Sequence, residues 1–104
     1  MYGHTIDWIK ATENEIAVGK ALLICCSDSN IEKTLLMLRN SRNINEYGHM
    51  LETEYKISQI VSRQIANFRM AQLAGIRFEQ VEETIEKERQ LLEKLHALLQ
   101  LEQN

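Results

Sequence analysis

Apolar residues recur every three or four positions through the first quarter of the chain, which is the spacing of an amphipathic helix. This period predicts a first helix from about residue 5 to residue 26. The predicted apolar stripe is broad and includes Trp8, as expected for a helix that packs on two neighbours. The helix is predicted to end at residues 27–30, where the sequence Ser-Asp-Ser-Asn is typical of a turn.

A second helix is predicted from about residue 30 to residue 40. Ser29 and Glu32 have the spacing of a capping box, in which two side chains satisfy free backbone N–H groups at a helix start. Four apolar residues form its predicted buried face, namely Ile31, Leu35, Leu36 and Leu38. The polar run that follows predicts its end.

A third helix is predicted from about residue 44 to residue 74. Asn43 and Glu46 again have capping-box spacing, and an apolar stripe continues from Tyr47 to Phe68. We favour a break near Gly75, because glycine is common just after a helix end and the apolar register shifts there. A continuous rod remains the alternative, since one glycine costs a helix only about 1 kcal/mol.

The last segment, predicted as a helix over residues 77–102, has the clearest period in the chain. Apolar residues follow alternating steps of three and four, which is a heptad seam with Glu88 in its middle. The seam residues are Phe78, Val81, Ile85, Leu92, Leu95 and Leu99. Leu91, Leu98 and Leu101 add a second apolar edge. We interpret the seam as an oligomer or partner interface, with a helix packed inside its own bundle as the alternative.

Composition supports a helical fold in one domain. The chain has 104 residues, no proline and only 4 glycines, so the strongest breakers of regular structure are scarce. No run alternates cleanly between apolar and polar residues. We therefore expect an all-α single domain, a small bundle of three to four helices with a long, coiled-coil-like C-terminal helix. The most apolar stretch, residues 16–26, contains Lys20 and is too short to cross a membrane, and no signal peptide is visible. We expect a cytoplasmic protein with no membrane partner.

Charge is unevenly distributed along the chain. The net charge is −3 over residues 1–32, +4 over residues 33–77 and −4 over residues 78–104. The basic middle part suggests contacts to phosphate or to an acidic partner through Arg39, Arg42, Arg63, Arg69 and Arg77. The alternative is that these arginines are simply solvated.

The segment from Met70 to Val81 resembles the turn of a helix-turn-helix, in which the second helix reads DNA bases. However, this second helix would present Glu79, Glu82 and Glu83, which phosphates repel. A nucleic-acid-binding regulator is therefore the second hypothesis rather than the first.

Two further patterns raise the question of metal or redox chemistry. Glu46 with His49 and Glu93 with His96 have the Glu-x-x-His spacing found in di-metal helical bundles, but such sites need further inward-facing glutamates. Cys25 and Cys26 are adjacent and fit a buried helix end in a reducing compartment, with a redox switch or a shared metal as the alternative. We expect no metal site, no cofactor and no catalytic residues.

These patterns together predict a non-enzymatic helical interaction module, such as an adaptor, chaperone or inhibitor. Its partner is another protein, itself, or both, and a homodimer is expected through the heptad seam.

Overall fold

The computed structural model describes residues 2–68 and 70–103, and within these ranges the chain forms six helices and no strand. The all-α fold with a long C-terminal helix is confirmed. The helices are α1 (Tyr2–Cys25), α2 (Ile31–Asn40), α3 (Ile44–Tyr55), α4 (Gln59–Ala66), α5 (Met70–Ala74) and α6 (Phe78–Gln103). None of the helices in these ranges is both long and apolar enough to span a bilayer.

The two longest helices, α1 and α6, pack side by side in opposite directions. Near one end of this helical pair, the Thr5 hydroxyl donates to both carboxylate oxygens of Glu102 at 3.1 Å. Further along, Gly19 of α1 lies directly against Ile85 of α6. These two contacts fix an antiparallel register, which makes the molecule 52 Å long and only 27 Å and 19 Å across.

Helices α2 to α5 gather around the C-terminal half of α1 and form a head at one end of the pair. Its core buries one residue or more from each of α1, α3, α4 and α5, and the main ones are Ala21, Leu22, Cys25, Tyr47, Leu51, Val61, Ile65 and Leu73. Thr34 of α2 is fully buried and contacts both α1 and α3. Its hydroxyl lies 2.7 Å from the Cys25 carbonyl oxygen and 2.5 Å from the Tyr55 hydroxyl.

The single helix predicted over residues 44–74 is wrong, because the structure divides it into α3, α4 and α5. Lys56 ends α3 in the left-handed conformation with φ 55°, and the Ser58 hydroxyl then accepts a hydrogen bond from the Val61 N–H at the start of α4. A second interruption follows Ala66. The break predicted near Gly75 is confirmed, since α5 ends at Ala74 and α6 begins at Phe78.

Local capping follows the sequence in one place and departs from it in another. Asn43 caps α3 by accepting from the Glu46 N–H at 2.8 Å, as predicted. The predicted Ser29 capping box does not form. Asn30 precedes α2 without a side-chain cap, and its amide group instead donates to the Ile24 carbonyl oxygen at the end of α1. Asn30 therefore caps the end of α1 rather than the start of α2.

Candidate interaction surface

The heptad seam of α6 is covered by α1 of the same chain. Ile85 and Leu95 are only 7% and 4% exposed, and Ile9 and Ile16 of α1 are equally buried. The other seam residues, Phe78, Val81, Leu92 and Leu99, are partly buried, and Phe78 packs against the core of the head. The structure therefore brings the predicted interface residues together inside the molecule. Any partner that contacts the buried Leu95 has to displace α1.

The two sides of the helical pair are lined by different residues. On one side, Glu15 of α1 and Thr84 of α6 line the same groove. On the other side, Lys20 of α1 lies in a shallow depression with Glu86 and Arg89 of α6. Since residues seven apart in a helix lie nearly on the same side, these contacts assign the remaining positions to one side or the other.

Steps of seven residues from Glu15 and Thr84 lead to exposed apolar side chains. Trp8 precedes Glu15 by seven residues, and Leu91 and Leu98 follow Thr84 by seven and fourteen. Their exposed fractions are 64%, 41% and 44%. The antiparallel register places Trp8 at the height of residues 96–99, so Trp8 and Leu98 share one height and one side of the pair. We call Trp8, Leu91 and Leu98 the apolar flank.

Steps of seven residues from Glu86 and Arg89, on the opposite side of the pair, lead to charged and polar side chains. Glu93 follows Glu86 by seven residues and His96 follows Arg89 by seven. These residues are exposed. We therefore call the side with the flank the apolar side and the other the charged side, although Glu15 also lies on the apolar side.

The groove adjoins the apolar flank and has a volume of about 440 Å³. It lies between α1, α4, the 75–77 connection and the first turns of α6. Its apolar lining is Val18, Leu22, Ile76, Val81 and Ile85, and Glu15 and Arg77 contribute charged groups. Gly19 lets the two long helices come this close, because a Cβ atom there would lie 2.9 Å from Ile85 Cγ1.

A pair of carboxyl groups interrupts the seam beside the groove. Glu88 takes a seam position in α6, and desolvation, the Glu15 charge and a hydrogen bond to Glu15 raise the pKa of its carboxyl group. The apolar seam is therefore interrupted by a carboxyl pair beside the groove.

Among the residues that the structure describes, the predicted basic residues contact different parts of the molecule. Arg39 lies beside Leu36 on α2, while Arg42 approaches Glu46 at 4.0 Å. Arg63 lies between α3 and α4, and Arg77 lies in the groove. Arg69 is outside the described residues. In the helix-turn-helix interpretation, α6 would be the reading helix, but α6 lies along α1 and exposes Glu79, Glu82 and Glu83.

The Glu-x-x-His pairs lie on different parts of the molecule. Glu46 and His49 belong to α3 in the head, where His49 Nδ1 lies 3.3 Å from a Glu52 carboxylate oxygen. Glu93 and His96 lie on the charged side of α6. Among the described residues, no three His, Cys, Asp or Glu side chains are grouped to hold a metal ion.

Cys25 and Cys26 are both buried and free of disulfides. Burial and the neighbouring Cys26 raise the pKa of the Cys25 thiol to about 12, and burial also raises the pKa of Cys26. At neutral pH both thiols are therefore protonated, which is the unreactive form.

Sequence reasoning placed Trp8 in the buried stripe of α1, but its side chain is mostly exposed. Leu36, assigned to the buried face of α2, is also exposed at 52%. One sequence pattern could have indicated the apolar flank. This pattern is the second apolar edge of α6, in which Leu91 and Leu98 lie one heptad apart.

Comparison of the chain with protein-family models, curated proteins and solved structures finds no match.

Proposed function

We propose that this protein is a non-enzymatic helical interaction module that binds a protein partner through the apolar side of its helical pair. The supporting observation is the difference between the two sides of α1 and α6. The three residues of the apolar flank are exposed beside a mainly apolar groove on one side, whereas Lys20, Glu86 and Arg89 line the depression on the other. Large exposed apolar patches with polar borders are typical of interaction sites.

The proposed contact differs from the seam interface that the sequence suggests. The seam already packs against α1 and buries Ile85 and Leu95, so it stabilises the chain itself. The apolar flank is available without any unfolding, and its residues carry no charge. Binding there removes apolar area from water and leaves the charged side solvated, which is the usual division between the core and the rim of an interface.

Affinity capture with matched variants tests this proposal. The Leu91→Glu, Leu98→Glu double variant places two glutamates on the apolar side. The control, Arg89→Glu with His96→Glu, places two glutamates at the same spacing on the charged side. We expect the wild type and the control to retain the same bound protein, and the flank variant to lose it at least about tenfold. Circular dichroism should show equal helix content in all three.

Retention of every bound protein by a folded flank variant would contradict the proposal. Loss with both double variants would also contradict it, because the binding surface would then not be confined to the apolar side.

A further inference from the structure

The half of the helical pair that points away from the head buries side chains of its own. We call residues 2–16 of α1 and 88–103 of α6 the outer arm. Among the described residues, the side chains that form the core of the head or pack against it all come from residues 17–78. The outer arm buries a separate set, namely Thr5, Ile9, Thr12, Ile16 and Leu95. Its two helices therefore pack on each other, apart from the core of the head.

The buried face that joins the two helices of the outer arm is only partly apolar. On α1, steps of four and three residues give an alternating stripe of threonine and isoleucine, which consists of Thr5, Ile9, Thr12 and Ile16. On α6, the seam begins with Glu88 and ends with Glu102, whose carboxylate accepts from the Thr5 hydroxyl. A threonine or a glutamate in such a seam buries less apolar area than a leucine, so the outer arm is held weakly for its length.

The contacts change character where the outer arm meets the rest of the pair. Towards the head, Gly19 lies directly against Ile85, and Phe78 packs against the core of the head. About one turn further out, Glu15 and Glu88 meet across the pair. Two carboxyl groups add no apolar contact, so the packing of α1 on α6 is interrupted at this point. The two helices can therefore separate on the outer side of this carboxyl pair while the inner side stays packed.

We propose that the outer arm opens as one unit, with its two helices separating while the head and the contact between Gly19 and Ile85 stay closed. Proteins open locally in cooperative units, and segments with few buried apolar contacts open most often. Opening exposes the seam residues of the arm, Leu92, Leu95 and Leu99. This second apolar surface is distinct from the apolar flank, which is exposed in the closed form, so the inference goes beyond the proposed function.

Hydrogen exchange of the full chain under native conditions, followed by NMR, tests this inference. A helix of about 15 residues is only marginally stable alone in water, so amides on both helices should lose protection when the outer arm opens. Residues 8–12 and 92–97 report on the arm, and residues 20–24 and 48–52 report on the head. We expect the arm amides to exchange at least about 100-fold faster than the head amides, with similar protection on both helices.

Variants in either helix of the outer arm separate opening as a unit from ordinary fraying of helix ends. Thr12→Val in α1 and Glu88→Leu in α6 each add apolar area to the buried face. We expect each change to slow exchange about tenfold on both helices of the arm and to leave the head amides unchanged. Glu93→Leu is the matched control, because it places the same leucine on the exposed face of the arm and should leave both sets unchanged.

Low concentrations of urea give a second readout on the wild type. The dependence of exchange on urea scales with the surface that opening exposes. We therefore expect a smaller dependence for the arm amides than for the head amides.

Three results would overturn the inference. The first is equal protection of the arm and head amides. The second is an exchange rate that rises steadily towards each helix end, with residues 8–12 unaffected by Glu88→Leu, which is the behaviour of independent fraying. The third is a variant of the arm that raises the protection of the arm and the head equally, because the whole chain would then open as one unit.

Discussion

At the scale of single residues, the core of the head contains one polar group without a partner. Tyr47 is fully buried, and its hydroxyl has no hydrogen-bond partner in the part of the chain that the structure describes. The ring fills space beside Cys25 and Cys26, and burial raises the pKa of the Tyr47 hydroxyl. A buried polar group without a partner costs about 1–3 kcal/mol. The ring stabilises the core while its hydroxyl opposes folding.

We expect Tyr47→Phe to raise the free energy of unfolding by about 1 kcal/mol, because it removes the unpaired hydroxyl and keeps the ring. Tyr55→Phe is the matched comparison, since the Tyr55 hydroxyl bonds to Thr34. We expect that change to lower stability by about 1 kcal/mol. Urea unfolding of both variants measures the difference, and a destabilised Tyr47→Phe protein would show that its hydroxyl has a partner.

At the scale of helices, the approach of α1 to α6 depends on one missing side chain. A Cβ atom on Gly19 would lie 2.9 Å from Ile85 Cγ1 and 3.2 Å from Ile85 Cδ1. Ile85 is itself buried in the seam, so moving its side chain would disturb the packing of α1 on α6. Gly48 in α3 differs, because a Cβ atom there would make an ordinary contact at 3.7 Å with Ser62 Oγ.

The two glycines should therefore respond oppositely to alanine. Alanine favours a helix over glycine by about 1 kcal/mol at either site. At Gly19 overpacking costs about 1–3 kcal/mol, so we expect a net loss of stability. At Gly48 the helical preference should dominate and stability should rise. Thermal unfolding of Gly19→Ala and Gly48→Ala measures both signs, and equal shifts in the same direction would contradict the close approach.

The helical elements also show where sequence reasoning succeeds and where it stops. The heptad seam predicts both α6 and the need for another helix over Leu95, but the same pattern fits a partner helix and the chain's own α1 equally well. The choice depends on the fold of the whole chain. Ser58 shows a second limit, since it fits the apolar stripe of a long helix and is also a good cap. The left-handed turn at Lys56, which is uncommon for a residue other than glycine, ends α3. This turn makes Ser58 a helix cap rather than part of one long helix.

At the scale of the whole molecule, the apolar flank could not be predicted from the sequence, because it too depends on the fold of the whole chain. Trp8 and Leu98 are ninety residues apart, and only the antiparallel register of α1 and α6 brings them to the same height of the pair. The sequence predicts the two helices, but it does not predict that Trp8 and Leu98 lie on the same side of the pair. The same register brings Glu15 to Glu88 in the middle of the pair, where an apolar contact would otherwise continue the seam.

This carboxyl pair should make the stability of the molecule depend on pH. Desolvation and the Glu15 charge raise the pKa of Glu88 above its ordinary value of 4.5 in the folded protein, so the folded state binds the proton more tightly than the unfolded chain does. The resulting stabilisation is fully present below about pH 4.5 and is lost as the pH rises through the raised pKa. Above the raised pKa, the ionised Glu88 faces the Glu15 charge across the helical pair.

We expect Glu88→Gln to stabilise the protein at pH 7, because it removes one of these charges and can still bond to Glu15. The gain should be on the order of 0.5 kcal/mol, since solvent screens a partly exposed pair. It should shrink towards zero below about pH 4.5, where the wild-type Glu88 is also neutral. Urea unfolding from pH 4 to pH 8 measures the difference, and Glu86→Gln on the charged side serves as the control. A gain that is absent at pH 7, or that is the same at every pH, would show that Glu15 and Glu88 do not meet across the pair.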